Sequence, residues 1–182
     1  MKAKYIEICM RIMQIDIKTS IIINNNSDDN DRKYKFIKCY LKLNNIIDFV
    51  KFKKGGKPFL KNNSFYFSKS HNKDYVIYAL SSNNIGVDIE KISDFNIMLT
   101  KRIFTEEEIR KIKKVKNRKY LLCLFWTIKE AYCKYTGKGL IQILTDDITI
   151  RFTNKYCGNV NNVNFYSTIY KGNIITTVYE NY

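Results

Sequence analysis

Two short stretches, about forty residues apart, are the strongest indication of how this chain folds. Residues 86–90 alternate apolar and polar side chains, which predicts a strand with Asp88 and Glu90 on one face. Gly86 shares that face and is expected to leave it open. Residues 120–135 repeat apolar side chains at helical spacing, which predicts a long helix. This helix carries Glu130 and Lys134 one turn apart, so two different elements present three carboxylates and a lysine.

The hydrophobic pattern elsewhere alternates between strand and helix signals. Further strands are predicted at residues 3–16, 65–70, 75–80, 146–153, 163–170 and 173–180. A helix is predicted over residues 31–52 with Asp31 as N-cap, and Thr105 and Glu108 form a capping box that opens another. The order strand, helix, strands, helices, strands favours an α+β fold over a regular βαβ repeat.

The charge of the chain narrows the classes of partner. Its 182 residues include 32 basic and 17 acidic side chains, a net charge of +15. The positive electrostatic field of such a chain favours binding to a nucleic acid, an anionic membrane, a phosphorylated cofactor or an acidic protein. The abundance of Lys, Asn, Ile and Tyr is typical of an AT-rich genome and accounts for part of this charge.

The cysteines and the N-terminal segment indicate a reducing compartment. The five cysteines form no CxxC pair and no zinc site, and Cys39 and Cys123 lie among apolar residues, so both are predicted in the core. Charges interrupt residues 1–17, and no apolar run is long enough to span a bilayer. We therefore expect a cytoplasmic protein that is not bound to a membrane.

The paired carboxylates indicate a metal. Two carboxylates on one strand face repel each other unless a cation lies between them, and Mg²⁺ is the natural candidate. The alternative for Asp88 and Glu90 is a solvated edge-strand pair satisfied by nearby lysines. On the functional interpretation, Glu130 completes the metal site and Lys134 contacts a transferred phosphate.

The two charged residues of the helix, Glu130 and Lys134, also have a simple structural explanation. Glu130 and Lys134, four residues apart, can form an ordinary helix ion pair that contributes about 0.2–0.5 kcal/mol. Trp126 and Lys129 lie on neighbouring turns, so these polar residues are expected to form a stripe beside the apolar face of the helix.

The two stretches resemble the signature motifs of the 4'-phosphopantetheinyl transferases, G-[IV]-D-x-E and W-[ST]-x-K-E-A-x-x-K. Gly56-Lys57-Pro58 resembles the G-K-P motif of that family, residues 65–71 followed by 75–80 resemble its F-x-x-S-H-S-G segment, and residues 104–108 resemble its F-x-x-x-E stretch. The motifs run from about residue 31 to 140 in the family's order. This arrangement is similar to the larger, surfactin-synthetase-activating (Sfp-like) type.

The resemblance implies a fold and an activity. The fold would be two similar lobes in a pseudodimer, about 1–85 and 86–182, with the site in the cleft of a monomer. The activity would be transfer of the phosphopantetheine arm of coenzyme A to a serine of an apo acyl- or peptidyl-carrier protein, with release of 3',5'-ADP. Mg²⁺ would be required, with Mn²⁺ as a substitute. Carrier proteins are typically acidic, which suits the basic charge.

The resemblance also implies roles for the residues of the two stretches. Asp88, Glu90 and Glu130 would hold the metal against the diphosphate of coenzyme A. Lys134 would contact the phosphate under attack. Either Glu130 or Lys134 would act as general base toward the serine hydroxyl.

Three upstream residues are implied to bind coenzyme A. Ser70 and His71 would contact its phosphates, and Lys57 would lie near the 3'-phosphate. The chain departs from the family where S-H-S-G is replaced by Ser70-His71-Asn72-Lys73. The lost glycine raises the question of whether this loop needs a backbone conformation that glycine prefers.

Two alternatives belong to other functional classes. A basic nucleic-acid-binding protein would use the many Tyr and Phe side chains to stack on bases. It would, however, need a recognised binding motif, and the acidic cluster would repel phosphate, so no nucleic acid is expected as a partner. An inactive transferase-like scaffold is the second alternative, and the four intact metal and catalytic residues argue against it.

Overall fold

The computed structural model describes residues 5–12, 15–23, 34–52, 56–63, 65–94 and 100–180. Its strands are β1 (Tyr5–Ile12), β2 (Ile15–Ile23), β3 (Val50–Phe52), β4 (Pro58–Leu60), β5 (Tyr66–His71), β6 (Tyr75–Ser81), β7 (Ile85–Lys91), β8 (Ile150–Phe152), β9 (Cys157–Val160), β10 (Val163–Tyr170) and β11 (Asn173–Tyr179). Its helices are α1 (Lys35–Leu43), α2 (Thr100–Ile103), α3 (Glu106–Lys114), α4 (Arg118–Thr136) and α5 (Gln142–Thr145), and a 3-10 turn spans Ile92–Asp94.

The strands form two main sheets and one small sheet. The first sheet has the order β1-β2-β6-β5, the second has the order β7-β11-β10-β9-β8, and β3 pairs with β4. Every pairing is antiparallel. This mixture of helices and antiparallel sheets agrees with the predicted α+β class. A pseudo-twofold relation between two lobes, and a boundary at residues 85–86, stay predictions.

The apolar face of β7 joins the two main sheets. Ile85, Val87 and Ile89 are fully buried and cluster with Ile77 of β6. The backbone N–H of Val87 also donates to Ser68 Oγ on β5 at 3.0 Å. The alternation predicted for β7 is therefore confirmed, and its other face is left for Asp88 and Glu90.

The N-terminal half departs from the predicted elements in two places. The strand expected over residues 3–16 is replaced by two strands, β1 and β2, whose register pairs Ile12 with Ile15. The helix expected over residues 31–52 is wrong beyond Leu43. Asn45 adopts a left-handed backbone conformation (φ 54°), which asparagine tolerates, and this turn ends α1 before β3. The expected N-cap, Asp31, lies outside the described residues.

The burial of the cysteines differs from the prediction in one case. Cys123 on α4 is buried, as expected, whereas Cys39 on α1 is exposed. Ile37 and Leu41 lie four residues apart on the buried side of α1. Cys39 is two residues from each, so it points to the opposite side of the helix.

The two longest helices of the second half, α3 and α4, follow their sequence signals closely, whereas the one-turn helices α2 and α5 were not predicted. The capping box is confirmed: Thr105 Oγ1 accepts from the N–H of Glu108, and Glu108 Oε2 accepts from the N–H of Thr105. Asn117 caps the start of α4, and Gly137 ends it with a φ of 76°. Strand β9 was not predicted, because its short polar sequence has no apolar alternation. Within the described ranges, no helix combines the length and apolar character needed to cross a membrane.

Helix α4 lies directly on Gly86 of β7. A Cβ atom at Gly86 would be 2.0 Å from the carbonyl oxygen of Ala131 and 2.5 Å from the backbone nitrogen of Tyr135. The expectation that Gly86 leaves the carboxylate face open is therefore wrong, because the helix backbone covers it. The missing side chain instead lets helix and strand approach closely enough to bring their polar residues together.

We predict that Gly86→Ala lowers the free energy of unfolding by about 3 kcal/mol or more, because the new methyl group meets helix backbone that cannot rotate away. Urea denaturation measures this change. Gly172→Asn is the matched control, since Gly172 has open space around it and a φ of 76° that asparagine tolerates. Equal unfolding midpoints for Gly86→Ala and the wild type would contradict the close packing.

Candidate functional site

Asp88 lies at the centre of a small polar cluster between β7, β5 and α4. Its side chain is 1% exposed. Asp88 Oδ1 accepts from Ser70 Oγ at 2.7 Å and from Lys134 Nζ at 2.6 Å. Lys134 Nζ also donates to Ser70 Oγ at 2.8 Å. The structure thus brings together one residue from each of three elements.

Glu130 extends this cluster along α4. Its Oε2 lies 3.5 Å from Lys134 Nζ, so the ammonium stands between the carboxylates of Asp88 and Glu130. The local helix ion pair therefore exists, but the shorter contact of Lys134 is with Asp88 on β7. The lysine belongs to a tertiary cluster and not only to its own helix.

The protonation of Glu130 and Lys134 reflects these neighbours. Burial, and secondarily the charge of Asp88, raise the pKa of Glu130 to about 7. Burial acts to lower the pKa of Lys134, but Asp88 and Glu130 outweigh it, so that pKa lies above the ordinary value. Near neutral pH the site therefore combines a fixed ammonium with a carboxylate that can accept or release a proton.

Glu90 is held by a residue whose role was missed in the sequence. The indole Nε1 of Trp126 donates to Glu90 Oε1 at 3.3 Å. Trp126 lies four residues before Glu130, one turn away on α4. The charge of Glu90 contributes to the raised pKa of Glu130, so the two carboxylates are close enough to interact. The position of Trp126 in the helical motif was the available signal.

The donor chemistry of these acids fits a divalent cation. Asp88 Oδ2 is buried and has no hydrogen-bond donor among the described residues. Three interacting carboxylates of this kind are ligands that Mg²⁺ prefers. Within the same described ranges, however, no three acidic, histidine or cysteine side chains converge closely enough to hold an ion as they stand. Lys134 occupies the space between two of the donors, and the metal site stays a prediction.

The residues expected to bind coenzyme A are distributed around this cluster. Ser70 points to Asp88, whereas His71, next to it on β5, is exposed and on the opposite face of the strand. Lys57 Nζ donates to the carbonyl oxygen of Tyr135 at 2.7 Å and to Asn84 Oδ1 at 2.9 Å. Lys57 thus holds the C-terminal end of α4.

The departure at Asn72-Lys73 creates no backbone strain. Neither residue has a positive φ, so the family glycine is not needed here. Asn72 Oδ1 accepts from the N–H groups of Asp74 and Tyr75 and closes the turn. Asn72 Nδ2 also donates to Asn173 Oδ1 at 2.8 Å, which attaches the turn to the second sheet.

A cavity of about 290 Å³ opens beside the cluster. Its charged lining consists of Lys57, Lys69, Lys134 and Glu130. Its remaining walls are glycines and mainly apolar side chains: Gly56, Pro58, Phe67, Ser68, Cys133, Gly137, Gly139 and Leu140. A basic cavity next to a group of carboxylates suits an anionic ligand that brings a divalent cation with it.

The sequence matches the family model of the 4'-phosphopantetheinyl transferase superfamily over residues 84–178, a little over half of the chain. The chain belongs to this superfamily. The matched range contains the four predicted metal and catalytic residues, and the three upstream residues predicted to bind coenzyme A lie before it.

Individual members of the superfamily are similar to about half of the chain. The 4'-phosphopantetheinyl transferase gsp of Aneurinibacillus migulanus is 36% identical over 87 residues, which cover 47% of this chain and 36% of that protein. The L-aminoadipate-semialdehyde dehydrogenase-phosphopantetheinyl transferase of Candida glabrata is 35% identical over 114 residues, 56% of this chain and 44% of that protein.

The 4'-phosphopantetheinyl transferase Sfp of Bacillus subtilis is 33% identical over 100 residues, 53% of this chain and 44% of that protein. The similarity to gsp and Sfp supports the Sfp-like type. The chain spans less than half of the length of these three relatives.

A second lysine of the superfamily motif, Lys129, is buried in an ion pair. Its Nζ lies 2.8 Å from Glu108 Oε2 and donates to the carbonyl oxygen of Ile103 at 2.8 Å. The two charged side chains are only 3% and 7% exposed. The expectation that Lys129 joins a polar stripe with Glu130 and Lys134 is therefore wrong. Lys129 joins α4 to the capping box of α3.

We predict that Lys129→Met lowers the free energy of unfolding by about 3–5 kcal/mol, because it leaves the Glu108 carboxylate buried without its cation. Urea denaturation measures the loss. The double variant Lys129→Met/Glu108→Gln should recover much of it, since no buried charge remains. Lys111→Ala, which removes an exposed ion pair with Glu107, is the control and should change little. A single variant as stable as this control would contradict the prediction.

Proposed function

We propose that this chain transfers the 4'-phosphopantetheine arm of coenzyme A to a serine hydroxyl of an apo carrier protein and releases 3',5'-ADP. The observation that carries the proposal is the contact of Lys134 on α4 with Asp88 on β7, in a cluster that includes Glu130 and borders a lysine-lined cavity. Phosphoryl transfer depends mainly on positioning and charge stabilisation, which such a cluster provides.

We propose that Asp88, Glu90 and Glu130 hold Mg²⁺, with Mn²⁺ as an expected substitute. When bound, the ion would neutralise negative charge on the diphosphate of coenzyme A. The buried Asp88 Oδ2, which lacks a donor in the described part of the chain, supports this assignment.

Glu130 is the residue that we propose as general base. A pKa of about 7 lets its carboxylate accept the proton of a serine hydroxyl at neutral pH. The pKa of Lys134 lies above its ordinary value, so its ammonium keeps its proton and is a poor base. This difference favours Glu130 as the base and Lys134 as the cation that contacts the phosphate.

In the proposed reaction one bond to phosphorus forms while another breaks. The serine oxygen forms a bond to the phosphorus that carries pantetheine, while the bond from that phosphorus to the bridging oxygen of the diphosphate breaks. The electron pair of the broken bond leaves with 3',5'-ADP. The serine proton passes to Glu130, and Lys134 stabilises the negative charge on the transferred group.

The proposed contacts of coenzyme A are Lys57, Ser70, His71 and Lys134. Lys57 and Lys134 both line the cavity, which supports their assignment. Ser70 bonds to Lys134 and Asp88, so we propose that it contacts the same phosphate as Lys134 and also holds that ammonium in place. His71 is exposed at the end of β5, where a solvent-facing phosphate could reach it.

The proposed acceptor is an acyl- or peptidyl-carrier protein with an acidic surface. A net charge of +15 steers acidic partners toward the chain. We propose that the protein acts as a cytoplasmic monomer and requires neither a nucleic acid nor a membrane.

A mass-shift assay with coenzyme A, Mg²⁺ and a panel of apo acyl- and peptidyl-carrier proteins tests the proposal. We expect one phosphopantetheine arm per carrier, and a rate that falls by about 10²–10⁴-fold in Asp88→Ala and Glu130→Ala, because these remove the proposed metal ligand and general base. Lys111→Ala is the control, and circular dichroism verifies folding.

Two outcomes of this assay would contradict the proposal. No mass gain on any carrier would leave the inactive scaffold or the nucleic-acid-binding protein as the better explanation. Wild-type rates in folded Asp88→Ala and Glu130→Ala would show that the metal and catalytic residues are assigned wrongly.

A further inference from the structure

Trp126 is the only tryptophan of the chain, and its indole contacts a proposed metal ligand. The 3.3 Å hydrogen bond from Nε1 to Glu90 Oε1 crosses from α4 to β7. Because Trp126 precedes Glu130 by one helical turn, the same side of α4 supplies one carboxylate and the donor that holds another. None of the proposed reaction steps uses this hydrogen bond.

The carboxylates of the site face two kinds of donor, one charged and one neutral. Asp88 and Glu130 both face the charged ammonium of Lys134, whereas Trp126 offers Glu90 a neutral N–H. A neutral donor such as the indole N–H orients a carboxylate without itself removing the charge. A carboxylate also has about four lone-pair sites on two oxygens, so a hydrogen bond at Oε1 is compatible with metal binding.

We propose that Trp126 is a positioning residue for the divalent cation, because it fixes the orientation of the Glu90 carboxylate that binds the ion. The inference rests on the proposed metal-dependent function and extends it to a residue that does not itself touch the ion. Groups that hydrogen-bond to a metal ligand commonly change metal affinity by about 10–100-fold when they are removed.

The competing role for Trp126 is packing. Its half-buried ring lies against the core cluster around α4, so a substitution at this position could lower stability without any effect on a metal. The two roles differ in what they change: packing affects the unfolding midpoint, and positioning affects the affinity for the ion.

The single tryptophan makes the first test direct. Wild-type protein is titrated with Mg²⁺ and with Mn²⁺, each with and without coenzyme A, and its tryptophan emission is followed alongside calorimetry. We expect a saturable emission change that matches the calorimetric binding curve and is lost in Glu90→Gln. Ion binding without any emission change, or no ion binding under any of these conditions, overturns the proposal.

The second test removes only the indole N–H. Trp126→Phe keeps an aromatic ring in place, and we expect its dissociation constant for Mg²⁺ to rise about tenfold or more. When Mg²⁺ is saturating, the KM for coenzyme A should stay near the wild-type value. In a Glu90→Gln background, Trp126→Phe should have no further effect on ion affinity, because the two residues act through one contact.

Phe125→Leu is the matched control on the same helix. Phe125 is buried against Phe104 and Phe152, so its truncation lowers stability within the same core. We expect this variant to lose stability while its Mg²⁺ affinity stays unchanged. A wild-type Mg²⁺ affinity in Trp126→Phe, or an equal loss of affinity in Phe125→Leu, overturns the proposal.

The failure of this inference is distinguishable from failure of the proposed function. Ion affinity is measured without a carrier protein. If the wild type binds Mg²⁺ and loses affinity in Trp126→Phe, but transfers nothing, only the transferase proposal is contradicted. A wild type that transfers phosphopantetheine while Trp126→Phe leaves Mg²⁺ affinity unchanged contradicts only the inference.

Discussion

The close approach of α4 to Gly86 is the constraint on which the rest of the site depends. Any side chain at this position would meet the helix backbone at Ala131 and hold the helix away from β7. With hydrogen alone on the strand, Asp88 and Glu90, which follow on the same face, come within reach of side chains from α4. The short contacts of Lys134 with Asp88 and of Trp126 with Glu90 are consequences of this packing.

Two lysines that pair with buried carboxylates fix the orientation of α4 between its neighbours. Lys134 pairs with Asp88 on β7, and Lys129 pairs with Glu108 on α3. Each pair compensates a charge that burial alone would make costly, so rotation of the helix would leave unpaired charges on two sides. At the C-terminal end, Lys57 bonds to the Tyr135 carbonyl and connects the helix to the chain before β4.

The site retains an excess of negative charge despite these lysines. Lys134 stands between Asp88 and Glu130, yet the pKa of Glu130 is still raised to about 7 by burial and by the neighbouring carboxylates. A site in this state attracts both a proton and a cation, which is the behaviour that a metal-dependent phosphoryl transferase needs at neutral pH. The local electrostatics therefore support the proposed metal-dependent transfer.

The elements that could be predicted from the sequence are those whose signals are local. The alternation of residues 85–90 and the helical spacing of residues 120–135 were sufficient for β7 and α4, and the capping box was sufficient for the start of α3, because hydrogen-bonding partners and side-chain faces there follow from neighbours a few residues away. Family motifs named the candidate acids and lysines. The folded chain was needed to see that α4 covers Gly86, that Trp126 holds Glu90 and that Lys129 points toward α3. These contacts join residues 21 to 49 positions apart, and no periodicity in the sequence encodes which elements will meet.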